Sequence, residues 1–345
     1  MRRKLTIDRK HLLTYIMIGW AVLLFGKPVC ISSYARESPL VDSLELTIDS
    51  VLTIFKGDQP LLTYQFQTVY PPQGQDSSYQ RSGFIHPVYT LEGEQLTRIQ
   101  PEDHYHHYGI WNPWTHTLFK GDTVDFWNLH KKSGTVRFVE LLDHKVDGRD
   151  AAYTTLHNHV VFKENGGEEI ALQEWQTVKV HLPEGQSSYY WIDITIKMRC
   201  ATSSPLRLLT YRYGGLGWRA VESWGRDNCT VLTSEGNTRA ETDGSRARWC
   251  MVYGELSQNA VGGMAILSHP TNFNHPEPLR IWDGDANGGK ENLFVNFSPT
   301  KDRDWLLEPG QTYMLNYRLL VFDGQPDVAE IENKWQNFAI EKRYQ

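Results

Sequence analysis

The densest group of side chains able to do chemistry lies in residues 101–127 (PEDHYHHYGIWNPWTHTLFKGDTVDFW). His104, His106 and His107 fall within four residues of one another, and His116 follows. A buried imidazole needs partners for both ring nitrogens, so histidines this close together are unusual in a core. The segment therefore predicts a functional site, with an exposed loop of solvated histidines as the alternative.

Two kinds of chemistry suit these histidines. In an extended chain His104 and His106 would share one face, and His107 would point away. Imidazoles on one face can bind a metal ion, with His116 or Asp125 as the third ligand. They can equally donate hydrogen bonds and protons to a sugar oxygen, because histidine titrates near neutral pH. The spacing matches no defined zinc or copper motif, so both hypotheses remain open.

Aromatic rings and acids in the sequence extend the sugar hypothesis. Trp111 and Trp127 offer flat apolar faces on which a sugar ring can stack, although core packing is the simpler use of such rings. The carboxylate candidates are Asp125, Glu222 and Asp283. Hydrolysis of a glycosidic bond needs two carboxylates, whereas epimerisation or mutarotation needs one acid and one base.

A glycine-rich segment at residues 211–219 (YRYGGLGWR) is the second candidate cluster. Arg212 or Arg219 could hold a carboxylate or hydroxyl group of a ligand, and a structural ion pair is the alternative. The spacing of the glycines does not match the dinucleotide-binding pattern, so no nucleotide cofactor is predicted.

A third cluster occupies residues 269–276 (HPTNFNHP), and Trp282 follows it. Its two prolines predict a rigid loop that could present Asn272 or His275 to a ligand. A plain surface turn is equally compatible with the pattern. The cluster adds polar and aromatic binding candidates, but it does not identify a reaction.

The N-terminus predicts export. Basic residues precede an apolar run at 12–25, and a small-residue stretch ends at Ala35. This order is typical of a secretory signal peptide, here residues 1–35, with a retained anchor helix as the alternative. A periplasmic or extracellular location is expected for the single remaining domain, residues 36–345.

Charge and cysteine content exclude several classes of protein. Residues 1–35 hold six Lys or Arg and one acid, so removing them changes the formal net charge from −6 to −11. Such an acidic chain is not expected to bind nucleic acid or an anionic membrane. No CxxC pair occurs, so a cysteine zinc site is not predicted. The only cofactor considered is a metal ion at His104, His106 and His116.

Short runs of β-type residues separated by Gly and Pro turns dominate the chain. Only residues 327–342 have apolar residues three or four positions apart, as in a helix, and Pro326 suits a helix start. The pattern predicts an all-β fold, a large antiparallel β-sandwich with a short C-terminal helix. The predicted strands are 44–55, 61–69, 84–90, 95–99, 134–142, 152–162, 170–182, 188–198, 251–255, 260–267 and 313–322.

The chain resembles the PmoA-like family, a domain-of-unknown-function family that automatic naming labels methane oxygenase PmoA. The resemblance covers residues 45–335 and rests on six ordered motifs. They are HPVYTLEG at 86–93, HYHHYGIW at 104–111, GDTVDFW at 121–127, YGGLGWR at 213–219, RARWC at 246–250 and HPTNFNHP at 269–276. Two departures from the family pattern are Tyr105 and Tyr108, which stand where Pro and Arg are usual. The usual Trp after the last motif is also missing near Leu279.

The resemblance implies a galactose-mutarotase-like supersandwich that binds a sugar in a concave sheet. Methane oxidation is not expected despite the family label. Methane monooxygenase subunits of that name are integral membrane proteins, whereas the mature chain has no apolar stretch long enough to span a membrane. Fold analogy alone does not give an activity.

The hypothesis that follows is an exported carbohydrate-active enzyme of the hydrolase or isomerase type. Its partner is a carbohydrate or glycoside, with no nucleic acid and no membrane beyond the N-terminal segment. The predicted catalytic residues are His104, His106, His107, Asp125 and Glu222. The predicted substrate-binding residues are Trp111, Trp127, Arg212, Arg219, Asn272, His275 and Trp282. The alternatives are a non-catalytic sugar-binding protein and a metal-dependent oxidoreductase.

Overall fold

Strands account for most of the architecture. The computed structural model describes residues 43–257, 260–283 and 292–341, so the predicted signal peptide lies outside the described residues. In chain order the strands are β1 (Leu44–Ile48), β2 (Leu52–Lys56), β3 (Gln59–Gln65), β4 (Phe84–Val88), β5 (Ile110–Trp111), β6 (Thr117–Phe119), β7 (Asp122–Val124), β8 (Gly134–Asp147), β9 (Asp150–Phe162), β10 (Glu168–His181), β11 (Tyr189–Cys200), β12 (Leu206–Leu208), β13 (Gly217–Arg219), β14 (Cys229–Thr233), β15 (Trp249–Glu255), β16 (Val261–Ser268), β17 (Leu279–Ile281), β18 (Phe294–Phe297), β19 (Trp305–Leu307) and β20 (Tyr313–Asp323). The helices are α1 (Arg239–Thr242) and α2 (Val328–Ile340).

The strands form two eight-stranded sheets and one four-stranded sheet. The first large sheet has the order β1-β2-β3-β4-β5-β13-β18-β17, and the second has the order β14-β15-β16-β20-β11-β10-β9-β8. The small sheet has the order β19-β12-β6-β7. Every strand pair recorded within the described ranges is antiparallel. The prediction of an all-β antiparallel sandwich is therefore confirmed.

A shared hydrophobic core joins the two large sheets. Ile85 and Val295 from the first sheet belong to the same buried cluster as Ile194, Val252 and Leu319 from the second. Burial of apolar surface between facing sheets is the main stabilising term in such a sandwich. Along each strand, side chains alternate between the face that meets this core and the opposite face.

The predicted C-terminal helix is confirmed as α2. Asp327 caps its first turn by accepting a hydrogen bond from the Ala329 amide at 2.9 Å. Ile331 and Phe338 pack with Trp249 on the outer face of the second sheet, so that sheet is covered on both faces there. No helix among the described residues is long and apolar enough to cross a membrane.

Two strand predictions were wrong in detail. The run at 44–55 is two strands, because the chain reverses at residues 49–51 and β1 pairs with β2 as a hairpin. Residues 95–99 form only isolated bridges to Tyr89, Ala220 and Tyr108 rather than a strand. Alternation of apolar residues indicates extended chain, but it does not reveal where an extended run folds back.

Gly109 connects the histidine segment to β5 at a crowded point. Its φ angle is +53°, which favours glycine. A Cβ atom there would overlap the carbonyl oxygen of Ile85 and lie 2.9 Å from the Cβ of His86. The histidine segment can therefore approach β4 closely only because this residue has no side chain.

Gly109→Ala should destabilise the fold by roughly 3 kcal/mol, because backbone strain adds to overpacking against β4. Gly148→Ala is the matched control, since its φ is +61° but no atom lies within 4 Å of the added Cβ. We expect the control to cost only about 1 kcal/mol. Urea unfolding measures both, and equal costs would contradict the close approach.

Candidate functional site

An aromatic layer covers the face of the first sheet that points away from the shared core. Phe84, Trp111 and Phe294 lie on β4, β5 and β18 and belong to a separate buried cluster with Trp127 and Trp282. The three strand residues each stand next to a residue of the shared core in the sequence. Successive side chains of a strand point to opposite faces of the sheet, so these three point away from that core. The candidate site therefore lies outside the sandwich core, on the outer face of the sheet.

Packing in this layer is tight because β13 begins with a glycine, Gly217, which has no side chain. A Cβ on Gly217 would lie 3.0 Å from Trp127, 3.3 Å from Phe294 and 3.4 Å from Trp111. Trp111 and Trp127 meet with ring centroids 4.9 Å apart. The glycine thus allows three large rings to pack over one point of the sheet.

A cleft of about 430 Å³ opens above this layer. It draws on five separate segments of the chain, which the sheet brings together. Its lining residues are His104, His106, His107, Trp127, Asn128, His130, Lys131, Tyr211, Arg212, Tyr213, Arg280, Trp282 and Phe294. None of these described lining residues is an aspartate or glutamate.

Two consecutive turns bring the three clustered histidines together. The His104 amide donates to the Pro101 carbonyl at 2.9 Å, and the His107 amide donates to the His104 carbonyl at 3.0 Å. The ring centroids of His104, His106 and His107 lie 4.8 to 5.2 Å apart. The segment is therefore not extended, and His107 joins the other two imidazoles instead of pointing away.

Burial keeps two of these imidazoles neutral. Desolvation first, and then the neighbouring His104 and His130, lower the pKa of His106 to about 3. Desolvation also lowers the pKa of fully buried His107 well below its usual value. Within the described part of the chain, His107 Nδ1 is buried without a hydrogen-bond partner. These rings offer lone pairs at neutral pH and are poor proton donors.

His104 differs because a carboxylate orients it. Its Nδ1 lies 2.9 Å from Asp103 Oδ2, and Arg219 Nη2 approaches the two Asp103 oxygens at 3.2 and 3.0 Å. Asn292 Nδ2 adds a hydrogen bond of 3.0 Å. Burial raises the pKa of Asp103, but His104, Arg219 and Asn292 outweigh it and hold that pKa well below the usual range. Asp103 is thus an ionised carboxylate behind the cleft.

Arg219 supports the site and does not line it. The residue is fully buried, and its guanidinium lies 4.8 Å from the centroid of the Trp282 ring. Desolvation lowers its pKa to about 10, so it stays charged at neutral pH. The structure gives Arg219 the ion pair with Asp103, which was the alternative interpretation of its sequence position.

Asp125 is fully engaged in holding the turn after β7. Its Oδ1 accepts from the amides of Trp127 and Asn128, and its Oδ2 accepts from the side chains of Thr115, Asn128 and Lys131. Burial raises the pKa of Asp125, but the hydrogen bonds from Lys131 and Asn128 outweigh it and lower that pKa. This carboxylate positions Trp127 and Lys131 along the cleft.

Three other predicted residues, Glu222, His116 and Trp111, lie outside the lining. The Glu222 side chain is 89% exposed and forms an ion pair with Arg98 at 3.2 Å. His116 packs against Tyr211 with ring centroids 4.2 Å apart, and it is not among the clustered histidines. Trp111 lies beneath the lining as a support.

Asn272 and His275 belong to a separate buried network. The Asn272 side chain exchanges hydrogen bonds with the Asn316 backbone at 2.9 and 2.7 Å, which ties residues 269–276 to β20. His275 Nδ1 lies 3.1 Å from Ser268 Oγ. Neither residue lines the cleft, and nor does Asp283.

Several lining residues were missed from the sequence. Tyr211 and Tyr213 flank Arg212, and the guanidinium lies 5.7 and 5.5 Å from their ring centroids. His130 and Lys131 come three and four residues after Trp127, so they could have been found by extending the 101–127 segment by four residues. Arg280 follows the 269–276 cluster but was not predicted to bind a ligand, and Phe294 gave no separate signal, since its strand has only four residues.

Positive charge is in excess along the cleft. Arg280 and Lys301 share the single carboxylate of Asp243, at 2.7 and 2.8 Å. Arg212 is exposed, and no ion pair is recorded for it within the described residues. Lys131 is balanced by Asp125 at 2.7 Å. The cleft therefore presents about two uncompensated cations to a ligand.

Among the residues that the structure describes, the clustered histidines are also the group that could hold a metal ion. His104, His106 and His107 each offer a ring nitrogen, and these atoms all lie within 4.8 Å of one another. The structure thus assembles a different set from the predicted His104, His106 and His116.

Comparison with solved structures gives matches at low sequence identity. Heparan sulfate lyase HepC from Pedobacter heparinus aligns at a TM-score of 0.38 and 8% identity, covering 83% of this chain and 36% of the lyase. GH36 α-galactosidase AgaB from Geobacillus stearothermophilus aligns at 0.33 and 13% identity, covering 84% and 40%. GH36 α-galactosidase AgaA from the same organism aligns at 0.34 and 12%, covering 82% and 41%. The chain spans about two fifths of the length of these proteins, and similarity at this level carries no conclusion about activity.

Comparison with protein families gives a match over most of the chain. Curated proteins of known annotation provide no significant match. Residues 52–336 match the family of unknown function DUF6807, and that description carries neither the methane oxygenase label nor any activity. The match includes all five segments that line the cleft. The chain therefore belongs to the DUF6807 family.

Proposed function

We propose that the protein is an exported, carbohydrate-active enzyme that binds a negatively charged sugar in the cleft above the aromatic layer. The observation that carries this proposal is the lining itself, which combines flat aromatic rings, surplus cations and neutral imidazoles without a single acid among the described lining residues. Export rests on the signal-peptide pattern of residues 1–35.

The aromatic lining suits the apolar face of a pyranose ring. Tyr211 and Tyr213 are half-buried and supply ring surface, and contacts with each other and with the buried Trp127 fix their orientation. Rings of this kind bury a large area at little cost in side-chain entropy. A volume of about 430 Å³ lies in the range typical of small-molecule sites.

The cations favour an acidic sugar over a neutral one. Arg212 reaches the rim without an opposing carboxylate in the described structure, and Arg280 shares its one carboxylate with Lys301. Guanidinium groups form strong bidentate hydrogen bonds with carboxylate and sulfate oxygens. A uronic acid or sulfated sugar would supply the missing negative charge.

The two predicted catalytic acids, Asp125 and Glu222, are placed poorly for two-carboxylate hydrolysis. Asp125 spends its oxygens on five hydrogen bonds, and Glu222 points outward. Glycoside hydrolysis of that type needs two carboxyl groups flanking the bond. The isomerase type of reaction is therefore the better match, with the histidine cluster as the reactive group. A sugar-binding protein without turnover is the second candidate, because the same lining binds without needing an acid–base pair.

Arg212→Ala should weaken binding of an acidic oligosaccharide by roughly tenfold, since one solvent-exposed charge-assisted contact is lost. The measurement is calorimetric titration of the purified full chain with uronate-containing oligosaccharides and with their neutral counterparts. Arg207→Ala is the matched control, because Arg207 is also exposed but lies in the small sheet and pairs weakly with Asp304 at 3.8 Å.

Three outcomes decide the proposal. Preference for the acidic sugar that Arg212→Ala removes and Arg207→Ala retains supports it. Equal affinity for acidic and neutral sugars, or no binding of either, contradicts it. Monitoring the bound sugar by NMR then separates an enzyme, which produces a new isomer, from a binding protein, which leaves the sugar unchanged.

A further inference from the structure

We infer that His104, His106 and His107 form a binding site for one divalent transition-metal ion of the zinc class at the floor of the cleft. This goes beyond the proposed sugar function and does not depend on it. Three features of the described residues carry the inference: convergent nitrogen atoms, an imidazole nitrogen without a partner, and a carboxylate behind the site.

The distances are close to those of a metal-bound set. The three ring nitrogens lie within 4.8 Å of one another. Zinc–nitrogen bonds of about 2.0–2.1 Å in tetrahedral geometry place ligand nitrogens about 3.3 Å apart. Because the residues lie in two consecutive turns, modest rotations about side-chain bonds bring the nitrogens to that separation.

The hydrogen bonding of the cluster is incomplete without a ligand. His107 is 2% exposed, and its Nδ1 has no partner within the described residues. Buried polar atoms in folded proteins are nearly always paired. A metal ion coordinated through this nitrogen would give it a partner.

A second layer orients the first ligand. Asp103 Oδ2 lies 2.9 Å from His104 Nδ1, which directs the Nε2 lone pair of that ring away from the carboxylate. A carboxylate or carbonyl partner on the far ring nitrogen is usual for metal-binding histidines. Arg219 and Asn292 in turn fix Asp103 at 3.0 Å each.

The ligand types select the class of metal. Three imidazoles without a carboxylate oxygen suit Zn²⁺, Co²⁺, Ni²⁺ or Cu²⁺, whereas Ca²⁺ and Mg²⁺ prefer oxygen ligands. Three protein ligands leave a coordination position open, as in catalytic zinc sites. That position would face the cleft, where a bound ion polarises a ligand oxygen and adds to the attraction for anionic groups.

The test is a titration of the purified full chain after chelator treatment. Calorimetry with Zn²⁺ should give one equivalent, and Co²⁺ should produce the visible absorption of a four- or five-coordinate ion. His106→Ala should weaken Zn²⁺ binding at least 100-fold, and Asp103→Asn should weaken it 10- to 100-fold. His144→Ala is the matched control, because His144 is an exposed histidine on β8.

Folding is checked on each variant by thermal unfolding in chelator, so that loss of the ion is separated from loss of the fold. No stoichiometric binding to the wild type overturns the inference, as does equal weakening by His144→Ala. If His116→Ala removes the ion while His107→Ala does not, the ligand set is wrong. Sugar binding by chelator-treated protein is measured in parallel, so a failed metal site leaves the sugar proposal standing and a failed sugar screen leaves the metal site standing.

Discussion

Replacing Arg219 by methionine should destabilise the protein by about 3 kcal/mol. The substitution keeps a long side chain but removes the guanidinium, which lies over the Trp282 ring and bonds to Asp103 at 3.0 Å. The Asp103 side chain is 6% exposed, so its carboxylate would remain buried with weaker compensation from Arg98 at 3.6 Å. Leaving one member of a buried ion pair without its partner typically costs 3–5 kcal/mol. Urea unfolding of Arg219→Met at pH 7 measures the effect.

Two other arginine variants show whether burial is the cause. Arg137→Met breaks a bidentate pair with Glu168 at 2.6 and 2.8 Å, but both side chains are more than two fifths exposed. Such a surface pair contributes about 0–1 kcal/mol, so this variant should unfold close to the wild type. A loss as large as that of Arg219→Met would show that burial is not the reason.

Arg318→Met separates stability from site geometry. Arg318 forms a buried bidentate pair with Asp193 at 2.7 and 2.8 Å, on the second sheet beneath α2. Its loss should destabilise the fold to a similar degree as the loss of Arg219. Only Arg219→Met should also weaken Zn²⁺ binding, by 10- to 100-fold, because only Arg219 positions the carboxylate that orients His104. Equal effects of the two variants on Zn²⁺ would make Arg219 a structural residue alone.

Long strands could be predicted from the sequence, and short ones could not. The antiparallel strands β9, β10 and β11 each have at least 12 residues, so alternation of apolar and polar side chains repeats several times. Turn residues such as those at 164–167 also mark their ends. The strands under the cleft, β5, β13 and β17, have two or three residues each. A period of two cannot be detected over so short a length.

The sequence singled out the histidine segment as a candidate site, and the structure places those histidines along the cleft, but their geometry was not predicted. Composition alone marks three histidines in four residues as unusual. Their convergence depends on the hydrogen bonds from His104 to Pro101 and from His107 to His104, which alternation along the sequence does not encode. Gly109 gave a usable local signal, because glycine at such a junction often permits a positive φ.

The loop at residues 269–276 shows the limit of motif reasoning. Two prolines with Asn and His predict a rigid loop, and the structure contains one. The same rigidity that would present Asn272 to a ligand also lets it bond the Asn316 backbone of β20. Only the packing of distant segments decides between these roles, so a single sequence leaves them open.

Glu277→Gln should stabilise the protein by about 3 kcal/mol at pH 8 and change its stability little at pH 5. Glu277 directly follows the loop at residues 269–276 and is fully buried, and burial raises its pKa to about 7. In the folded protein it keeps a proton that an unfolded chain loses above its usual pKa of 4.5. The wild type therefore loses stability as pH rises from about 4.5 to 7, at up to 1.36 kcal/mol per pH unit. Glutamine has no charge to bury, so the variant should not show this loss.

The surroundings of Glu277 allow the substitution. Tyr317 Oη donates to Oε1 at 2.5 Å, and the Ser268 hydroxyl contacts Oε2. A glutamine can keep the Tyr317 bond with its oxygen and donate its amide to Ser268 Oγ, while Ser268 donates to His275 Nδ1. The expected pattern is checked by urea unfolding of both proteins at pH 5 and pH 8.

Glu174→Gln provides the opposite case, because Glu174 is just as buried but has imidazole partners. Burial raises its pKa, yet hydrogen bonds with His157 and His159, at 3.3 and 3.0 Å, outweigh burial and lower that pKa to about 2. Its ionised form is therefore stabilised in the fold, and neutralising it should cost a few kcal/mol at pH 7. Two buried glutamates would then respond to the same substitution with opposite sign.

If Glu277→Gln instead destabilises the protein equally at pH 5 and pH 8, the Glu277 carboxyl group is stabilised by its hydrogen bonds and not destabilised by burial.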